Sequence, residues 1–314
     1  MKKYIFYAVK KLVVMLFILL AASFIIFFMM RANGIDETSV IGNAKRMTDE
    51  TRQELIQKHH LDKPLVVRYG LWLKDALHGD FGRDYENNVD VKKIVAAKVP
   101  ITAGLVILSI SITLLIAIPV GILCAVKRNS WIDTTMSTIT LLLTSVPDFL
   151  VGILIIVIVS ILFPKYQFVG TYNSFLQYLS RISLPSLALA GGMLAGVARI
   201  TRSSMIEQMK SNYITAVEAK GMGKVNTIFV HAFHNACLPV LTIISLMVGM
   251  MISGSVLMEN IFSLPGIGSC LVTSVQKYNY PLIQFLTLIM LGVFLGISYI
   301  VDIVYMLVDP RTRK

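Results

Sequence analysis

The polar residues that could do chemistry are few in this 314-residue chain, and they gather in two places. One is Asp148, a carboxylate inside the apolar run SVPDFLVG. The other is residues 213–241, YITAVEAKGMGKVNTIFVHAFHNACLPVL, where Glu218, Lys220, Lys224, His231 and His234 surround Gly221 and Gly223. The tetrapeptide GMGK at 221–224 invites comparison with a phosphate-binding loop. A Walker A motif needs a glycine five residues before its Gly-Lys pair and a Ser or Thr directly after it. Glu218 and Val225 stand at those positions, so the match fails at both ends. Any ATP hydrolysis would need another subunit.

Other chemistry is thinner still. No HExxH, GxSxG or paired-cysteine motif occurs, which disfavours an enzyme. His59 and His60 are adjacent, and on a helix they point about 100° apart. They make a poor chelating pair, and with His78 they do not make a nickel site. Cys124, Cys237 and Cys270 have no paired spacing, so neither a disulfide framework nor a zinc pattern follows. Cys124 and Cys237 fall in or beside apolar runs and read as small hydrophobes.

Asp148 carries two readings. Ionisable residues inside a membrane are costly and functional by default, which makes Asp148 a polar feature lining a pathway. The alternative is a carboxylate satisfied by a neighbouring helix to fix packing. Pro147 frees a backbone carbonyl and is placed to kink the helix around it. Asp302 lies nearer the end of its span and reads as structural.

The elements that position these residues are apolar helices. The chain is 55% hydrophobic and only 15% charged, with mean hydropathy +0.72. A soluble domain would carry about 25% charged residues. The class is therefore an all-α polytopic membrane protein. A span needs roughly 20 apolar residues. Residues 12–30, 101–126, 134–163, 237–258 and 282–308 qualify. The short run 183–198, rich in Gly and Ala, suits close helix packing and brings the count to six. The first segment reads as a retained anchor. Its 19-residue core is longer than that of a signal peptide, and Met29-Met30-Arg31 is no cleavage site.

Charge sets the orientation. Lys2, Lys3, Lys10 and Lys11 precede the first span, and Lys127 and Arg128 follow the second. Arg199, Arg202, Lys210, Lys220 and Lys224 follow the fourth, and Arg311, Arg313 and Lys314 end the chain. With six spans these groups share one side, which the positive-inside rule makes cytoplasmic. Both termini and the 201–236 segment then face the cytoplasm. This bias also accounts for the net charge of +11 without nucleic acid.

Residues 31–99 become an extracytoplasmic insert with 12 Lys/Arg against 11 Asp/Glu. Thr48 is placed to cap a helix that begins with Asp49 and Glu50 and stops before Pro64. Tyr69, Trp72, Leu73, Ala76 and Leu77 mark an apolar stripe. Gly79 and Gly82 mark a turn, and Val91, Ile94 and Val95 predict a further helix that leads to Pro100.

In the second polar segment, Met205, Ile206 and Met209 share one helix face, with Ile214 and Val217 the next apolar pair. Gly221 and Gly223 break the helix. Val225, Ile228, Phe229, Ala232 and Phe233 repeat at helical spacing, and Pro239 marks the entry to the fifth span. Ala216, Ala219 and Gly221 present little bulk, so another protein's groove could approach closely. An ordinary connector whose apolar face rests on the bilayer is the alternative.

Here the chain resembles the permease subunits of peptide-type ABC importers, the oligopeptide, dipeptide and nickel group. YITAVEAKGM followed by HAFHNACLPVLT resembles the cytoplasmic loop of that family. VLMENIFSLPGIG at 256–268, YNYPLIQ at 278–284 and VDIVYMLVDPRTR at 301–313 resemble its later segments. LDKPLVVRYGLWL and GDFGRDY resemble the external segment of the subunit type with a large first loop.

The resemblance implies a type I importer fold with N- and C-termini cytoplasmic. Two permeases form the pathway, two cytoplasmic ATPases bind ATP and Mg, and an extracytoplasmic binding protein delivers substrate. It also implies that Ala216, Val217, Glu218, Ala219, Lys220, Gly221 and Met222 form the coupling segment, and that no cofactor resides in this chain. Pro147 and Asp148 remain the pathway candidates. Two positions depart from the pattern. Thr215 stands where the general loop motif has Glu, and His234 where the family commonly has Arg. Peptide uptake leads, nickel or metal-chelate uptake is the alternative within the family, and a stand-alone secondary transporter is the alternative from another class.

Overall fold

The computed structural model describes residues 2–32, 37–41, 49–58, 60–170 and 174–308. Thr48, His59, Arg311, Arg313 and Lys314 lie outside the described residues. In chain order the helices are α1 (Lys2–Arg31), α2 (Glu37–Ile41), α3 (Asp49–Lys58), α4 (Leu65–Leu77), α5 (Val91–Val126), α6 (Trp131–Ser145) and α7 (Asp148–Leu162). There follow α8 (Phe175–Met209), α9 (Asn212–Ala219), α10 (Lys224–Asn226), a π-helical turn over Thr227–Ala232, α11 (Phe233–Ile261), α12 (Ile267–Gln276) and α13 (Tyr280–Val308). Among the described residues the only extended pairing is an isolated bridge between Arg83 and Asp90.

Five helices have the length and composition to cross a membrane, and α6 with α7 make a sixth span if the bent pair is counted as one. The six regions legible in the sequence are thus present, with three corrections. First, the third is not continuous: α6 and α7 meet at 97° around Val146 and Pro147. Second, the run 183–198 is the middle of a 35-residue helix. Third, Pro100 does not end a helix. α5 runs 36 residues through it, about 54 Å at 1.5 Å per residue, longer than a ~30 Å bilayer core. Burial explains the continuity, because the pair Val91 and Val95 before the proline and the pair Ile101 and Leu105 after it, each four residues apart, are all buried.

The chain divides into two compact units. The first comprises Met1–Pro100 and Pro265–Leu295. Within it, α4 docks its apolar stripe on α1. Tyr69 is buried, its hydroxyl is 2.8 Å from Ser23 Oγ, and its ring lies edge-on to Phe24 and Phe27. Leu77, at the end of the same stripe, is exposed. Glu37 sits between two arginines, 2.6 Å from Arg68 Nη2 and 3.4 Å from Arg31 Nε. A second core joins Val91 and Val95 to Ile267, Cys270, Leu282, Phe285 and Leu286. The turn at 79–90 uses the predicted glycines, Gly79 and Gly82, both at positive φ. It is tied to the later segment by Asn279 donating to Asp84 and by Lys277 pairing with Glu86 at 2.7 Å.

The second unit comprises Ile101–Leu264 and Gly296–Lys314. α8 is its hub and packs against α6, α7 and α11. Small residues allow that density. Ala188, Ala190, Ala195 and Ala198 are buried, and a Cβ on Gly121 of α5 would come within 2.7 Å of the Ala198 carbonyl.

Candidate functional site: the coupling segment and the broken span

The candidate coupling segment, Ala216–Met222, begins on the short helix α9, whose buried residue is Ile214. α8 ends at Met209 with Lys210 as its cap, Ser211 precedes α9, and α9 spans only eight residues. Ile214 is buried in a cluster with Ile122, Ala125, Met205, Ala232 and Ala236, and Val217 is half-buried. Ala216, Glu218, Ala219, Lys220, Gly221 and Met222 are exposed. Gly221 takes φ +81°, a left-handed conformation that closes the helix as glycine does at this position. Its N–H donates to Glu218 O at 2.9 Å. A Cβ there would meet no atom of this chain within 4 Å, so the space beside it is open.

Beyond the turn, Gly223 precedes α10, and the backbone passes through the π-helical turn directly into α11. Pro239 therefore does not mark the start of the fifth span but lies inside α11. Ala232, Ala236 and Val240, spaced by four, are all buried and carry the helix through it. The expected apolar stripe is only partly covered. Ala232 is buried and Ile228 and Phe233 are half-buried, whereas Val225 and Phe229 are exposed, as is Met222 before them. Tyr213 accepts from Asn235 Nδ2 at 3.0 Å and its ring lies edge-on to His231, bracing α9 against the following helix. Thr215 and His234, the two departures, are both exposed.

Pro147 and Asp148 come together at the break. Pro147 precedes α7 with φ −59° and ψ 137°, extended backbone that stops α6, and Asp148 opens α7. Asp148 is thus at a helix N-terminus rather than mid-helix, where the macrodipole favours a carboxylate. Its Oδ1 occupies the space a side chain at Gly192 of α8 would fill, and it accepts from the Gly192 backbone. α6 leads to this point with Thr134, Thr135, Thr138, Thr144 and Ser145 exposed.

Two buried acids escape a sequence reading. Glu259 is fully buried near the end of α11 and accepts from Thr102 Oγ1 at 2.5 Å. The apolar run used to place the span stops one residue before it. Asp133 is buried at the start of α6 and binds Arg202 of α8 through both carboxylate oxygens. Ser130, whose Oγ accepts from the Asp133 N–H at 3.3 Å, marks the helix start and was the available signal. Among the described residues no three of His, Cys, Asp and Glu gather as metal ligands would.

Residues 117–314 match the family model described as binding-protein-dependent transport system inner membrane component. The chain belongs to that family. It is a permease, a membrane component of an ABC transport system, and its place is the bacterial inner membrane. The permease is 36% identical over 267 residues to a Brucella abortus (strain 2308) protein whose name describes a peptide transport system permease, covering 84% of this chain and 85% of that one. It is 34% identical over 272 residues to the oligopeptide transport system permease protein AppB of Bacillus subtilis (strain 168), covering 85% and 86%. It is 30% identical over 304 residues to the dipeptide transport system permease protein DppB of Escherichia coli (strain K12), covering 88% and 90%.

Proposed function

We propose that this permease forms the membrane pathway for peptide uptake together with a second, homologous permease. Two ATPase subunits that bind ATP and Mg drive it, and an extracytoplasmic binding protein delivers the peptide. The observation that carries the peptide assignment is that relatives matched over most of their length are named for peptide, oligopeptide and dipeptide transport. In this reading both termini and residues 201–236 are cytoplasmic, and residues 31–99 form the external insert.

The exposed segment from Ala216 to Met222, anchored by Ile214, docks in a groove of an ATPase. Exposed Met222, Val225 and Phe229 extend that surface with apolar area. Closure of the ATPase pair pulls on α9 and, through Ile214, on the helix ends at Met205 and Ala236. Alternating access then follows from states that differ in these contacts. Pro147 and Asp148 line the pathway at the broken span, as interrupted helices do in other transporters.

The test is gentle detergent purification followed by identification of co-purifying chains and measurement of peptide-stimulated ATP hydrolysis. A second permease and two ATPases with peptide-dependent turnover are expected. A lone active transporter, or turnover driven by nickel chelates and not by peptides, overturns the reading. Gly221→Trp should release the ATPases or separate hydrolysis from uptake.

A further inference from the structure

A cavity of about 280 Å³ opens in the second unit where α5, α6 and α8 meet. Val120, Met136 and Leu141 give it an apolar wall, Thr140 adds a hydroxyl, and Arg199 and Arg202 bring two guanidinium groups. The two cations are not equivalent. Arg202 is neutralised by its two hydrogen bonds to Asp133. Arg199 is exposed, and no described residue forms an ion pair with it. The cavity therefore carries one uncompensated positive charge beside an apolar surface.

Its level in the bilayer is marked independently. α5 ends at Val126, two residues past Cys124 in the cavity lining, and Lys127 and Arg128 follow, both exposed. Trp131, the first residue of α6, is 77% exposed. Exposed Trp beside Lys and Arg at span ends is the pattern of a membrane–water interface. A basic pocket between spans at that level has the chemistry of a lipid headgroup site.

We infer that this cavity binds an anionic phospholipid, with its phosphate on Arg199 and an acyl chain along Val120, Met136 and Leu141. The occupant is a lipid and not a free anion, because most of the wall is apolar. The lipid would rest in the leaflet on the side of the coupling segment and wedge α6 against α8.

The experiment uses the full-length permease with the subunits that accompany it. It is titrated in mixed micelles with phosphatidylglycerol or phosphatidylcholine, and bound lipid is counted by native mass spectrometry. Wild type should retain phosphatidylglycerol in preference. Arg199→Gln should weaken that binding about fivefold, the effect of one basic residue near an anionic surface, and weaken phosphatidylcholine less, because its headgroup carries its own cation. Arg199→Lys, which keeps the charge, should bind close to wild type and show that the site folds. Leu141→Trp, which fills the apolar end, should weaken both lipids. Equal phosphatidylglycerol affinity in wild type and Arg199→Gln overturns the inference. So does displacement of the lipid by inorganic phosphate alone, or a crosslink from Thr140→Cys that reaches a second permease in place of lipid.

Discussion

Asp133 holds Arg202 by two parallel hydrogen bonds, Nε to Oδ1 at 2.6 Å and Nη2 to Oδ2 at 2.7 Å. This fork geometry ties the first turn of α6 to α8 and fixes the half-span that leads to Pro147. The Asp133 side chain is 5% exposed and that of Arg202 30%. Asp133→Ala strands a partly buried cation. The loss should fall below the roughly 3–5 kcal/mol of a fully buried pair, at about 2 kcal/mol. Thermal unfolding in detergent checks this. The double variant Asp133→Leu with Arg202→Leu should recover much of the loss, and a double variant no more stable than Asp133→Ala would show that the pair is not the cause.

Thr102 and Glu259 form the second such tie, between α5 and α11. Thr102→Val keeps the shape and removes the donor to a fully buried carboxylate. Leaving a buried acceptor without its donor costs about 1–3 kcal/mol, so the melting temperature should fall while insertion persists. Unchanged melting would mean that other partners of Glu259 carry its satisfaction.

These two acids show what the sequence could and could not convey. Hydropathy located each apolar region, because crossing the bilayer constrains composition directly. It missed Glu259 because a window ends where charge begins, while the helix continues to Ile261. It shortened α8 to its middle because Gln177, Ser180 and Arg181 before that run, and Arg199, Arg202, Ser203, Ser204 and Glu207 after it, dilute hydropathy in the flanks. Proline misled twice in the same way. Pro100 and Pro239 lie in continuous helices because buried neighbours hold the backbone on both sides, Val95 and Ile101 about the first and Ala236 and Val240 about the second. Pro147 does break its span, and there exposed Ser145 and Phe149 supply no such hold. Beyond α9 the glycine turn was legible, because Gly221 and Gly223 are local signals. The burial of Ile214 was not, because its packing on Ile122, Ala232 and Ala236 arises only when separate helices come together.

Gly221 separates conformation from bulk. Its φ of +81° disfavours any β-branched side chain, whereas Asn tolerates this region. Gly221→Val should impair coupling of ATP hydrolysis to uptake severely, and Gly221→Asn should retain most of it. Equal loss in both would assign the effect to side-chain volume against the docking partner.

Ile214 should act as the mechanical link. Ile214→Ala removes buried volume at a cost of about 2–4 kcal/mol to the local cluster. The predicted phenotype is ATPase subunits that still bind and hydrolyse, since Ala216–Met222 is untouched, with uptake reduced. Co-purification and transport assays on one preparation read both. Normal uptake per ATP hydrolysed would remove Ile214 from the transmission route.

Asp148 and Gly192 test the broken span as a pathway element. The carboxylate needs the space left by the missing side chain of Gly192, whereas a Cβ on neighbouring Gly191 would meet nothing within 4 Å. Gly192→Ala should therefore displace the carboxylate and lower peptide uptake, and Gly191→Ala should leave uptake near wild type. Asp148→Leu should abolish most uptake while the protein still inserts and keeps its subunits. The three variants distinguish the two roles open to Asp148. If the carboxylate only fixes packing, Gly192→Ala and Asp148→Leu will lower the melting temperature in step with uptake. If it lines the route, uptake will fall with little change in melting, and full uptake in Asp148→Leu would place the pathway elsewhere.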